Sequence, residues 1–279
     1  MPIRIVTDST CDLPDEVVQE HGIRVVPMYI HIGTTDYLDG IDISREQFYQ
    51  ELPNLDEPPT TAAPGIDAFA QTYEKLAEEG ATGIVSIHIS ETLSNVVNVA
   101  HLAAQRVESV PVTVIDSGQL TLGVGFEALR AAEVARAGGS LEEVVAAVQH
   151  LIPRTHTFAA LSTVEFLRRS GRLTQFQAGL ATVLRILPLL KMHNGTAEME
   201  KVRTRDKAMK RLLQLLSEVG PLERLAIVHT NAPQKAAALH ERARSLIPAG
   251  IEPVYGQVTP VIGSHIGPGA VGFVATARK

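Results

Sequence analysis

Near its C-terminus the chain reads VTPVIGSHIGPGAVG, with His265 set among Gly263, Gly267, Pro268 and Gly269. Imidazole is the side chain whose ordinary pKa lies closest to neutrality, so a small change of surroundings changes its charge. Glycines beside it let backbone approach a ligand closely. The segment is expected to form a Gly-Pro turn whose ring donates to an anionic group. The plainer expectation is a tight turn whose histidine bonds its own loop. Four hydroxyl-rich stretches offer companions: TDSTCDLP with Asp8, Ser9, Thr10 and Asp12; PPTTAAPG with Thr60 and Thr61; HISETLSNVV with Ser94; and VIDSGQLTLGVG with Asp116 and Ser117. Hydroxyls and free N–H groups at a helix start are good partners for a carboxylate or phosphate. The same residue types also serve as plain helix caps. Asp12 before Leu13-Pro14, Ser94, and the Asp116-Ser117 pair all admit that reading.

Other chemistries have weaker signals. The chain has no phosphate-loop or dinucleotide fingerprint, since Gly123-x-Gly125 lies inside a helical pattern, so no nucleotide cofactor is expected. Paired-cysteine, HxxxH and HExxH spacings are missing, so no metal is expected either. GxSxG is absent, and Cys11 has no evident histidine partner. An enzyme remains the alternative reading, an acyl hydrolase or transferase with Ser94 as nucleophile and His265 as base. That reading requires Asp8 or Asp116 to orient the ring.

These residues follow segments that read as strands, and in open α/β sheets ligands sit beyond the carboxyl ends of the strands. IRIVT, IRVVPMYI, GIVSIHI and VPVTVID are strand-like, and helical patterns such as GIDAFAQTYEKLAEEG separate them. That alternation predicts parallel βαβ units. Ser140 and Glu143 form a capping box opening SLEEVVAAVQHLI, which Pro153 ends. The domain boundary is expected there, giving an N-terminal α/β/α domain over 1–153 and a C-terminal α/β domain over 154–279. In the second half, His193-Asn194-Gly195 predicts a hairpin between LPLLKMH and AEMEKVR. THTFAALS, RLAIVHT, IEPVYGQV and AVGFVATA add further strands, so a mixed sheet is expected. The 279 residues are 45% hydrophobic and carry a net charge of −6. A sizeable core is expected, and nucleic acid, which needs a clustered cationic face, is not. No apolar run reaches about 18 residues, so no membrane span is expected. One cysteine suits a reducing compartment, and a cytoplasmic protein is expected.

VTDSTCDLP, TTAAP, ISETLSNV, VIDS with GVG, FLRRSGRL, KVRTRDKAMKRL and VIGSHIGPGAVG occur in the order found in the DegV family, and the chain resembles that family along essentially its whole length. The resemblance implies a non-catalytic subunit of a bacterial fatty-acid kinase system. Such a subunit would hold one long-chain fatty acid between its two domains and present the carboxylate to a separate kinase. It implies Thr61, Ser94, Asn95, His265, Gly267 and Arg172 as ligand-binding residues. It also implies Arg203 and Arg205 as the docking surface for the kinase, and transient membrane contact. The acyl tunnel is expected among Phe166, Ile186, Leu187, Leu189, Leu190 and the AGLATVL segment. The sequence departs from the family pattern at Ala62, where a serine is usual, and at Asn95-Val96, where glycine and threonine are usual. Asn95 is a residue type that tolerates a positive φ, should that turn require one.

Overall fold

The computed structural model describes residues 2–175 and 187–278. The chain opens with β1 (Ile3–Asp8), α1 (Asp15–His21), β2 (Arg24–Val26), β3 (Tyr29–Ile32), β4 (Thr35–Leu38), α2 (Arg45–Glu51), β5 (Thr60–Ala62) and α3 (Ile66–Glu78). It continues through β6 (Gly83–His88), α4 (Val96–Ala104), β7 (Val112–Asp116), α5 (Leu122–Arg136) and α6 (Leu141–Leu151). Then come β8 (Thr155–Ala160), α7 (Glu165–Arg169), β9 (Leu187–His193), β10 (Thr196–Val202), α8 (Arg205–Glu218) and β11 (Leu222–His229). The last elements are α9 (Pro233–Ala243), β12 (Val254–Gln257), α10 (Pro260–Ile266) and β13 (Val271–Ala277).

The fold is α/β, as expected. The first sheet is parallel throughout, in the order β2-β1-β6-β7. The second is mixed, in the order β10-β9-β8-β13-β11-β12, and only its β11–β12 pair is parallel. Alternation along β1 explains the layering. Ile5 joins a core with α5 and α6, and Val6 joins another with α3 and α4. Helix α5 also packs on β8, β11 and β13, so it lies between the two sheets, while α8 and α9 cover the far face of the second sheet. A Cβ on Gly125 would collide with the Cys11 carbonyl, so this glycine lets α5 press against the loop after β1. The Gly-x-Gly of α5 thus has a packing task.

Local signals translated directly. Ser140 and Glu143 form the expected capping box at α6. Asn194 and Gly195 both take positive φ at the β9–β10 turn. Other expectations are corrected. IRVVPMYI is not one strand: it divides around Pro27, β2 pairing with β1 while β3 enters a third, antiparallel sheet of order β4-β3-β5. Proline has no N–H to give a ladder, so the strand ends there. The expected Pro-rich loop contains β5, which places Thr60 and Thr61 on the edge of that third sheet. Most of the expected helix AGLATVLRIL, including Ile186, lies outside the described residues.

Candidate functional site

The closing Gly-rich segment is not a turn with histidine at its centre. Its first half is helix α10, and His265 lies in the last helical turn. Gly267 follows with φ 73°, and its N–H donates to the Gly263 carbonyl at 2.8 Å. Positions 261, 262, 265 and 266 then share one helical face. They present Val261, Ile262, His265 and Ile266 to a partly enclosed cavity. From the other side Thr61 of β5, Ile89 after β6, and Leu93 and Ser94 before α4 reach the same space. Leu167 of α7, Arg172 and Leu190 of β9 complete the wall beside Met28 and Leu120. A second, mostly apolar space adjoins it, sharing Leu93, Leu120, Leu190, Ile262 and Ile266 and reaching Met192 and Val258; its polar lining residues Thr121, Thr157 and Lys191 are bonded to Asp12, Gln119 and Glu198.

Thr61 and His265 meet in this wall, and Arg172 lies close enough for its charge to act on the ring. His265 Nε2 and Thr61 Oγ1 lie 2.8 Å apart, although 204 residues separate them. The other ring nitrogen, Nδ1, is buried and has no hydrogen-bond partner among the described residues. Burial pushes the His265 pKa down to about 4, and the nearby Arg172 charge adds to the effect, so the ring is neutral at pH 7. Arg172 follows Gly171, whose φ is 72°, and Nη1 donates to the Ser170 carbonyl at 2.9 Å. One cation, one neutral imidazole and two hydroxyls therefore face an otherwise aliphatic slot. This arrangement can satisfy a single anionic head group, whose hydrogen bonds would be of the stronger, charge-assisted kind.

A buried polar cluster fixes α10. The Asp12 carboxylate accepts from the Thr259 N–H at 2.9 Å and from the Thr121 hydroxyl at 2.6 Å, and pairs with Arg45 at 3.1 Å. The Thr259 hydroxyl donates to Asp39, and Arg45 also reaches the Gln257 carbonyl. Tyr49 Oη donates to the Val258 carbonyl at 2.9 Å. A Cβ on Gly263 would strike the Tyr49 hydroxyl, so only glycine lets α10 sit this close to α2. Desolvation pushes Asp12 up to about 7 against the pull of Arg45.

Several cap expectations are corrected accordingly. Asp12 caps no helix: it takes φ 53°, and α1 begins after Pro14 without a side-chain cap. Ser94 is not the cap of α4 either, since Asn95 holds that position with φ −84°. Asn95 therefore needs no left-handed backbone, and its side chain accepts from Asn98 at 3.0 Å outside the cavity wall. Asp116 and Ser117 do not cap α5, whose N-cap residue is Thr121. Gly267 ends α10 and does not border the cavity; a Cβ there would collide with the Phe166 ring. Among the expected tunnel residues that are described, only Leu190 lines the slot. Leu189 packs in the core on the opposite face of the second sheet, Leu187 borders a different cavity, and Phe166 backs Gly267. Arg203 and Arg205 are exposed at the start of α8, away from the slot.

Sequence reasoning missed Met28, Ile89, Leu93, Leu120 and Leu167, along with the apolar face of α10. The one available signal was the spacing of Val261, Ile262, His265 and Ile266, readable only if the segment is taken as helical. No hydrogen bond joins Ser94 and His265 among the described contacts, and His265 Nε2 faces Thr61 instead. Asp8 is committed to His88 at 3.0 Å and to the Ile89 and Thr10 N–H groups, and Asp116 to the N–H groups of Gly118 and Glu91.

A family model describing the DegV family of uncharacterised proteins matches residues 2–278. A DegV domain-containing protein of Streptomyces coelicolor is 39% identical over 280 residues, covering 99% of each chain. Protein DegV of Bacillus subtilis is 32% identical over 278 residues, covering 98% of each. Among solved structures, a DegV family protein of Thermus thermophilus, described for its fatty acid binding, superposes with a TM-score of 0.91 at 34% identity over the full length of both chains. The structure of Bacillus subtilis DegV, described as a fatty acid binding protein, gives 0.91 at 31% identity over the same coverage.

Proposed function

This chain belongs to the DegV family, and on that premise we propose that it is a carrier holding one long-chain fatty acid in the slot between its sheets. The carboxylate lies at the Thr61, Ser94, His265 and Arg172 end, and the acyl chain runs past Leu120, Leu190 and Ile262 into the adjoining apolar space. The observation that carries this reading is the contrast between the two spaces: Thr61, Ser94, His265 and Arg172 line the first, whereas the polar residues of the second are already bonded to Asp12, Gln119 and Glu198. The energetics agree. About 0.8 kcal/mol per buried methylene gives roughly 11 kcal/mol for ~14 methylenes, before association costs of several kcal/mol. The head group then needs only to avoid burial without partners, which costs several kcal/mol.

The reading extends the division of the chain at residue 153 to two lobes that clasp the ligand. It makes the chain a non-catalytic, cytoplasmic subunit that takes up its lipid by transient membrane contact. A separate kinase would receive the carboxylate, docking on exposed Arg203 and Arg205. Asn95 and Gly267 act in this scheme by shaping the turns that bring Ser94 and His265 to the ligand.

The test is equilibrium binding of palmitate to Ser94→Ala and His265→Ala variants whose folding is checked by circular dichroism. Loss of one charge-assisted hydrogen bond, about 1.5–3 kcal/mol, predicts affinity roughly 10- to 100-fold weaker in each. Wild-type affinity in both folded variants would remove the head-group site. Arg203→Glu with Arg205→Glu is expected to leave palmitate affinity unchanged and to slow phosphorylation of the bound lipid by the partner kinase. An equal rate would remove the docking surface.

A further inference from the structure

A further pocket, open to solvent, lies on the far face of the mixed sheet; it shares no lining residue with the slot, and its Ser162, Arg205 and Lys235 are exposed. Leu187 and Val271 border it from the sheet, and Ala208, Met209 and Ala238 from α8 and α9. Its polar side chains among the described residues are Ser162, Arg205 and Lys235, and no carboxylate lines it. Lys235 Nζ donates to the Gly269 carbonyl at 2.7 Å and to Ser162 Oγ at 3.4 Å, which leaves one ammonium proton unassigned. The Ser162 hydroxyl donates to the same carbonyl at 2.9 Å. The guanidinium of Arg205 makes no ion pair or hydrogen bond with any described residue. The adjacent acid, Asp206, is paired instead with Lys210 and Arg242. Burial and the Arg205 charge both hold Lys235 below the ordinary lysine range, which places the two cations within electrostatic reach of each other.

Two cations facing one apolar pocket without a carboxylate between them form an electrostatic mould for a compact dianion. A carboxylate carries one charge, whereas a phosphate monoester carries about −1.5 to −2 at pH 7 and offers three acceptor oxygens. The planar fork of arginine matches two of those oxygens, and the lysine supplies a point charge. The Leu187, Met209 and Val271 surface needs an apolar substituent to cover it. We propose that this cavity binds a phosphate monoester bearing a short apolar group, with Arg205 and Lys235 on the phosphate oxygens. This inference does not depend on what the slot binds, since the two share no lining residue, although Arg205 belongs also to the docking surface proposed above.

The test is calorimetric titration of the full chain with hexyl phosphate, run with and without saturating palmitate. Under saturating palmitate one saturable site per chain is expected, with affinity at least tenfold weaker in Arg205→Gln and in Lys235→Gln. Hexanol is expected not to bind there, and hexanoate to bind at least tenfold more weakly than hexyl phosphate. Absence of saturable binding, equal affinity in the two variants, or displacement of hexyl phosphate by palmitate would overturn the proposal. The amide resonances of Ser162 and Gly269 provide a readout that needs no variant. They are expected to shift with hexyl phosphate, and shifts confined to other residues would overturn the assignment.

Discussion

His265 is half-buried and Glu127 fully buried, and their surroundings push their pKa values in opposite directions, each away from charge. The ring of His265 is held neutral, at about 4 against an ordinary value of 6.5. Its contribution to stability is therefore present above pH 6.5 and is lost as pH falls toward 4. A carboxylate bound beside it favours the imidazolium, so loading with palmitate is expected to raise its midpoint, with proton uptake between those limits. Histidine NMR titration of the empty and loaded protein reads this directly, and an unmoved midpoint would place the carboxylate elsewhere. Glu127 of α5 is fully buried, and neither carboxylate oxygen has a partner among the described residues. Desolvation, with the Asp116 charge beside it, raises its pKa well above 4.5. Glu127 therefore costs nothing below its unfolded pKa and weakens the native state as pH rises toward its folded value. Glu127→Gln is expected to gain on wild type by about 1.4 kcal/mol per pH unit across that window, measured by urea unfolding at pH 5 and pH 8. A pH-independent difference would show that the carboxyl is solvated. The sequence marked His265 as an ionisable ring in a Gly-rich segment but not its burial, and it showed Glu127 only as one acid in a helical pattern.

Helix α10 is the element on which the site depends, and its seven residues are too few to hold a position by propensity alone. Asp12, Arg45, Asp39 and Tyr49 fix the residues leading into it. Asp12→Ala leaves Arg45, Thr121 and the Thr259 N–H without their acceptor. The expected loss is about 3–5 kcal/mol of unfolding free energy together with weaker palmitate binding. A smaller loss with intact binding would show that α10 is held by apolar packing alone. Gly263→Ala drives a methyl into Tyr49 and is expected to cost about 1–3 kcal/mol, read by the same unfolding measurement. Elements governed by adjacent residues were readable, as the α6 capping box and the Asn194-Gly195 turn illustrate. Helix α10 was not: two glycines and two prolines within nine residues, 260–268, match turn chemistry, and only packing against α2 makes the helix the better solution.

At the scale of the molecule, the slot lies where α10, packed on α2, α7, β3 and β5, faces β9 and the turn before α4. Ile262 and Leu190 stand where both cavities meet, so filling that point should shorten the ligand that fits. Ile262→Trp is expected to shift the lipids copurifying with the protein toward shorter acyl chains, as read by mass spectrometry of the extract. An unchanged chain-length profile would mean that the tail takes another course. The sequence by itself determined the α/β class, the parallel first sheet and the mixed second sheet, because those follow from short-range periodicity and turn chemistry. The tertiary structure alone decided that Thr61 meets His265 and that Leu190 faces the slot while Leu189 faces away. β9 is buried on both faces, so its apolar run carries no alternation to say which side chain points where. Contacts across 204 residues depend on how layers stack and register, a property of the whole packing that no local stretch encodes.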